Sequence, residues 1–152
     1  MAYTDLDFYT ETYHGDAMEG KAAARYLDRA SDYLDTLTFG RLPYAFPTFE
    51  PFALRVRKAV CAVAEAMYLI DEQRKAAGVT VAEDGSYRGA VKSISSGRES
   101  ISFAAGGESG SVYAAAAASE EKRAALLQEI AVSYLANITD ANGVNLLYAG
   151  VD

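Results

Sequence analysis

Cysteine and histidine are nearly absent from this chain. Cys61 and His14 stand alone, so no disulfide closes within it and no zinc site built on several cysteines exists. Any Ser-His-Asp relay has only His14 to use. That residue sits in a polar segment between Tyr13 and Gly15, where a solvated histidine is the simpler account. Basic residues are also in short supply: 14 Lys and Arg face 21 Asp and Glu, a net charge of -7. Tight wrapping of nucleic acid needs clustered cations that release counterions, so the balance argues against it. A passage for DNA stays open as a reading, because acidic walls keep the polymer from sticking. Long apolar runs are missing too. No stretch approaches the length that spans a bilayer, and the acidic first residues hold no apolar signal-peptide core. The expectation is an intracellular soluble protein that does not enter a membrane.

What is present is enough to fold. The chain is 51% hydrophobic and 11% aromatic, which offsets chain entropy, and 152 residues suit a single domain over 1–152. Residues 1–15 are polar and aromatic, with Tyr3, Phe8, Tyr9 and Tyr13, and predict an extended arm that docks by its rings. Asp16, with Glu19 three residues on, predicts a helix cap. Ala23, Leu27, Ala30, Leu34 and Leu37 then recur at helical steps, and Phe39-Gly40 stops that helix with Gly40 in a left-handed cap. Pro43 and Pro47 make 42–49 a connecting loop. Glu50-Pro51 opens a second helix whose stripe runs through Phe52, Val56, Ala59, Val60, Val63, Met67 and Ile70, about seven turns. Glycines at 85, 89, 97, 106, 107 and 110 then change the period. Alternation on both sides of Ser96-Gly97 predicts a β-hairpin within a long excursion over 79–118. Ser119, followed by Glu120 and Glu121, caps a last helix with its stripe on Leu126, Leu127, Ile130, Ala131, Tyr134, Leu135 and Ile138. Residues 139–152 form an extended tail. The fold class is mainly α: a small helical bundle interrupted by the hairpin excursion.

No stretch carries a catalytic signature. VKSISSGRESISF (91–103) is rich in serine, yet strand-like residues follow Arg98 where a phosphate loop needs a helix, and GGESGS (106–111) has no lysine after it. Asp5, Asp7, Glu11 and Asp16 give only a fragment of a calcium loop. Asp28, Asp32 and Asp35 fit the wet face of a helix, with Arg25 and Arg29 at pairing distance along it. Cys61 reads as core packing. The expectation is no catalytic residue, no metal and no cofactor. Arg55, Arg57 and Lys58 form the one tight basic cluster, either a solvated face or a contact for an acidic partner or a DNA backbone.

Taken in order, five stretches resemble the head–tail connector proteins, also called head completion or adaptor proteins, of long-tailed bacteriophages and prophages. They are YTDLDFYTETYHGDAM, AAARYLDRASDYLDTLTFGR, AVCAVAEAMYLIDEQ, VKSISSGRESISF and SYLANITDANGVNLLYAGVD. The TFGR helix ending, the serine ribbon and the LLYAGV close are the most specific. AAAAASEEK and TDANGVN depart from the pattern. The resemblance implies a virion protein, not an enzyme, that assembles as a ring of about twelve subunits under the portal protein. Such a ring extends the DNA tunnel without sequence-specific binding and joins the head to the head-closure (stopper) or tail-completion protein. In this light 91–103 is an assembly ribbon. Ile94, Ser96, Arg98, Ile101 and Phe103, with Arg55 and Arg57, are candidate subunit contacts. Leu146, Leu147, Tyr148 and Val151 are candidate portal anchors, unless the tail packs on its own bundle. A small helical binding module that forms no ring is the alternative.

Overall fold

The computed structural model describes residues 2–76, 80–81, 87–88 and 108–149. Its elements are α1 (Leu6–Glu11), α2 (Gly20–Leu37), α3 (Arg41–Ala45), α4 (Glu50–Ala76), β1 (Thr80–Val81), β2 (Tyr87–Arg88), α5 (Glu108–Ala118) and α6 (Glu120–Leu135). The protein is mainly helical, as the periodicity predicts. Where one domain was expected over 1–152, it groups into two compact units, Met1–Met67 with Leu127–Asp152, and Tyr68–Leu126. The boundaries fall inside α4 and α6.

In the first unit, α2 buries Ala23, Tyr26, Leu27, Ala30, Ser31 and Leu34, the three- and four-residue rhythm of a single helical face. Leu37 is only half-buried. α4 supplies the most densely buried run, with Val56, Ala59, Val60, Cys61, Val63 and Ala64 fully or almost fully covered. Small and β-branched side chains let neighbours approach this helix from several directions. From α6, Leu127, Ala131 and Leu135 are buried, followed by Ile138.

Three local expectations are corrected in this unit. The N-terminal arm is not wholly extended: Asp5 accepts a hydrogen bond from Phe8 N at 3.0 Å and caps α1, the ordinary work of an aspartate ahead of a helix. It does dock by its rings. Tyr9 is completely buried and Tyr3 stacks on Phe46 with centroids 5.1 Å apart. Secondly, Asp16 does not cap α2; Glu19 holds the cap position, with no side-chain hydrogen bond, and the helix starts at Gly20. The chain reaches α2 instead through amides tied to Tyr9, because Ala17 N and Met18 N both donate to its hydroxyl, at 3.0 and 3.2 Å. Finally, the stretch 42–49 is not all loop. Arg41–Ala45 forms α3, with Pro43 in its first turn, where a missing N–H costs nothing. Pro47 follows beyond the helix end.

In the second unit, α4 reaches Ala76. Arg74 Nε donates to Ala117 O at 3.2 Å, and Arg74 Nη2 pairs with Glu120 at 2.9 Å. Ser119 caps α6 as expected, its hydroxyl accepting from Lys122 N at 3.3 Å. The excursion over 79–118 is corrected in part: its last stretch is the helix α5, in keeping with the high helix propensity of consecutive alanines. β1 and β2 pair antiparallel, Thr80 with Arg88 and Val81 with Tyr87. The hairpin predicted across 91–103, and with it Ile94, Ser96, Arg98, Ile101 and Phe103, lies outside the described residues.

Candidate interaction surface

The first unit carries a surface built around Arg41. α2 closes with Thr38 Oγ1 donating to Leu34 O at 2.8 Å and Gly40 N donating to Asp35 O at 2.8 Å. Two consecutive residues then take positive φ, Phe39 at 59° and Gly40 at 78°. Gly40 adopts this freely, as its sequence position predicts. Phe39 does not, and a phenylalanine held there costs about 1 kcal/mol or more. Its ring is 59% exposed, so burial of that ring within the chain does not offset the strain.

Gly40 hands the chain to α3, whose first residue is Arg41. Arg41 Nη1 donates to Asn145 O at 3.1 Å and to Leu146 O at 3.0 Å. Its guanidinium carbon lies 5.5 Å from the Phe39 ring centroid and 5.7 Å from that of Tyr148, both within reach of cation–π attraction. Tyr44, three residues along α3, shares the Arg41 face by helical spacing and is 85% exposed. Phe39, Arg41, Tyr44 and Tyr148 therefore make one partly open aromatic and cationic surface.

The C-terminal segment reaches this surface by a turn. Asp140 Oδ1 accepts from Asn142 N at 2.8 Å and Val144 N at 2.9 Å. Thr139 and Asn145 form an isolated antiparallel bridge, and Leu146 N donates to Ile138 O at 2.9 Å. Ala141 N donates to Ala45 O at 2.9 Å, which ties the turn to the end of α3. The tail is thus not extended over its described length. Leu146 is fully buried and serves the chain's own core, which corrects its reading as a free portal anchor. Leu147 is half-buried, and its amide donates to Asn145 Oδ1 at 2.9 Å. Tyr148 is 48% exposed, with Arg41 over its ring. Val151 lies outside the described residues.

The basic cluster on α4 is also engaged at home. Arg55 donates from Nε to Tyr134 O at 3.0 Å and from Nη2 to Ser133 O at 3.1 Å, satisfying carbonyls at the α6 C-terminus that have no partner within the helix. Arg57 lies over the Phe46 ring at 5.6 Å and within 3.9 Å of Glu50. Both residues thus hold intrachain partners, where the sequence suggested subunit contacts.

A second polar cluster lies where the N-terminal arm meets α4. Tyr9 donates from its hydroxyl to Glu65 Oε2 at 2.6 Å. Burial pushes its phenol up to about 12, and the bond to Glu65 acts in the same direction. Tyr13 is shifted upward as well, first by burial and then by the Glu65 charge. Burial, reinforced by Glu65, raises the Cys61 thiol to about 12. That thiol is protonated at neutral pH and poorly nucleophilic, consistent with its reading as core. Farther along the arm, Tyr3 donates to Asp35, and burial followed by that bond raises its phenol. Tyr3 and Tyr9 thus stay protonated and donate structural hydrogen bonds. His14 is exposed. Among the described residues no group of three or more His, Cys, Asp or Glu is placed to hold a metal ion, and no helix is long and apolar enough to cross a membrane.

Sequence patterning led to Tyr148 but missed Phe39, Arg41 and Tyr44. The available signal was TFGRLPY itself, a helix stop that places two aromatics and an arginine beside a glycine. No protein-family model matches the chain, and no curated protein or solved structure does. The surface offers contact area, donors and cation–aromatic pairing, which is the chemistry of association.

Proposed function

We propose that this chain is a structural protein of a phage head-to-tail junction. It forms a ring beneath the portal protein, extends the DNA tunnel and presents a surface to the head-closure or tail-completion protein. One observation carries the reading: two of the stretches that most resemble connector proteins, the TFGR helix ending and the LLY close, meet through Arg41. The aromatic surface at that meeting point is suited to partner binding, since exposed aromatics grouped with arginine are typical of interface anchors. In this proposal Leu147 contributes to portal contact, Tyr148 belongs to the Arg41 surface, and Leu146 holds the tail in place. The serine ribbon over 91–103 serves as an assembly hairpin, with Ile94, Ser96, Arg98, Ile101 and Phe103 toward neighbours. The role needs no catalysis and no cofactor. Net negative charge suits a conduit that DNA slides through.

Electron microscopy of the purified protein, alone and mixed with the portal protein of the same gene cluster, tests this. A ring stacked coaxially on the portal is the expected result. A discrete one-to-one complex would move the assignment to the small helical binding module. A chain that ignores the portal, with and without packaged DNA, would overturn the connector role.

A further inference from the structure

We infer that the Arg41 surface is one half of a head-to-tail contact between copies of this chain, and that its occupant is the acidic face of α1 from the next copy. The inference rests on the assembly reading above and names its interface. Arg41 spends only Nη1 on the chain's own carbonyls. An arginine presents five N–H donors, and Nε and Nη2 find no partner among the described residues. Neither atom is a buried orphan, and the guanidinium carbon lies 5.5 and 5.7 Å from the centroids of the exposed Phe39 and Tyr148 rings. A carboxylate approaching Nε and Nη2 gains charge-assisted hydrogen bonds, and the flanking rings of Phe39 and Tyr148 reduce its exposure to water.

The same unit supplies the complement. Asp7 and Glu11 stand four residues apart on α1, on one helical face. Both are exposed, and neither pairs with a cation among the described residues. Copies carrying a charge of -7 repel one another at long range, and an arginine with free donors against two unpaired carboxylates supplies a local attraction that sets which faces meet. Two different patches on a single chain give a heterologous contact, which closes into a ring when the rotation between copies permits.

Analytical ultracentrifugation of the full chain, alone and with the portal protein, tests the pairing through three variants. Arg41→Glu and the double variant Asp7→Lys with Glu11→Lys each weaken self-association at least about tenfold. Mixing the two restores it, because each then meets a complementary partner. Tyr44→Ser, at a site open enough to leave the fold intact, weakens association without touching the tail contacts of Arg41. If the chain assembles but these variants assemble as the wild type does, the inference fails while the connector reading stands. If each single variant is impaired and the mixture stays impaired, the specific pairing with α1 is wrong. If the wild type forms no oligomer even on the portal, both fail.

Discussion

The two outer segments of the first unit, residues 2–19 and 136–149, both read in the sequence as docking segments outside the main helices, and they differ as structure. Both lie beside the helical core: residues 2–19 carry four aromatics and residues 136–149 one, Tyr148, next to the apolar pair Leu146 and Leu147. The N-terminal segment commits its main anchor completely: Tyr9 is fully buried, its hydroxyl joined to Glu65 and to two amides of the chain's own backbone. The C-terminal segment divides its anchors. Leu146 is buried and Tyr148 is half open beside Arg41. An apolar residue near a terminus therefore does not announce whom it will bind. Local hydrogen bonding decides, because a turn fixed by Asp140 and a bridge at Thr139–Asn145 turn one side chain inward and leave another out.

The sharpest way to break this contrast is at Leu146. Leu146→Ala empties a fully buried site and is expected to cost about 2–5 kcal/mol, read as a lower denaturant midpoint with an unchanged slope. Loss of under 1 kcal/mol would mean that the tail does not pack as described. Gly15 probes the opposite terminus. A Cβ there falls 2.1 Å from Tyr9 Cε1, so Gly15→Ala has to displace a buried ring and is expected to cost about 1–3 kcal/mol, visible as a lower melting temperature. Tyr9→Phe keeps the ring and removes the hydroxyl, stranding Glu65 and two amides at a cost of about 1–3 kcal/mol.

The same variant sharpens the picture with pH. The Tyr9 phenol is raised from 10 to about 12 on folding. Its contribution is therefore complete below pH 10 and is lost as pH rises toward 12. Stability measured across that window falls in the wild type, and Tyr9→Phe flattens part of the fall. An identical alkaline slope in both would remove Tyr9 from the account. The smallest effect on stability belongs to Tyr44→Ala, expected within about 0.5 kcal/mol because that side chain is 85% exposed.

Helical periodicity made α2, most of α4 and the Ser119 cap of α6 legible, since a buried stripe repeats in the sequence itself. α3 was hidden by Pro43, which reads as a breaker until it is known to sit in a first turn. α1 was hidden by its brevity: six residues give too few repeats for a period to show. The Arg41 surface depends on contacts between residues 104 and 105 positions apart, and no local pattern encodes them. Arg55 looked free for the same reason, its acceptors lying 78 and 79 residues away.

Hydroxyl-radical footprinting of the chain before and after it assembles with the portal protein separates the buried aromatic from the exposed ones. Phe39, Tyr44 and Tyr148 are expected to be labelled in the free protein and protected in the assembly, while Tyr9 is protected in both. Assembly that leaves all three surface aromatics labelled would contradict a role for the Arg41 surface in association.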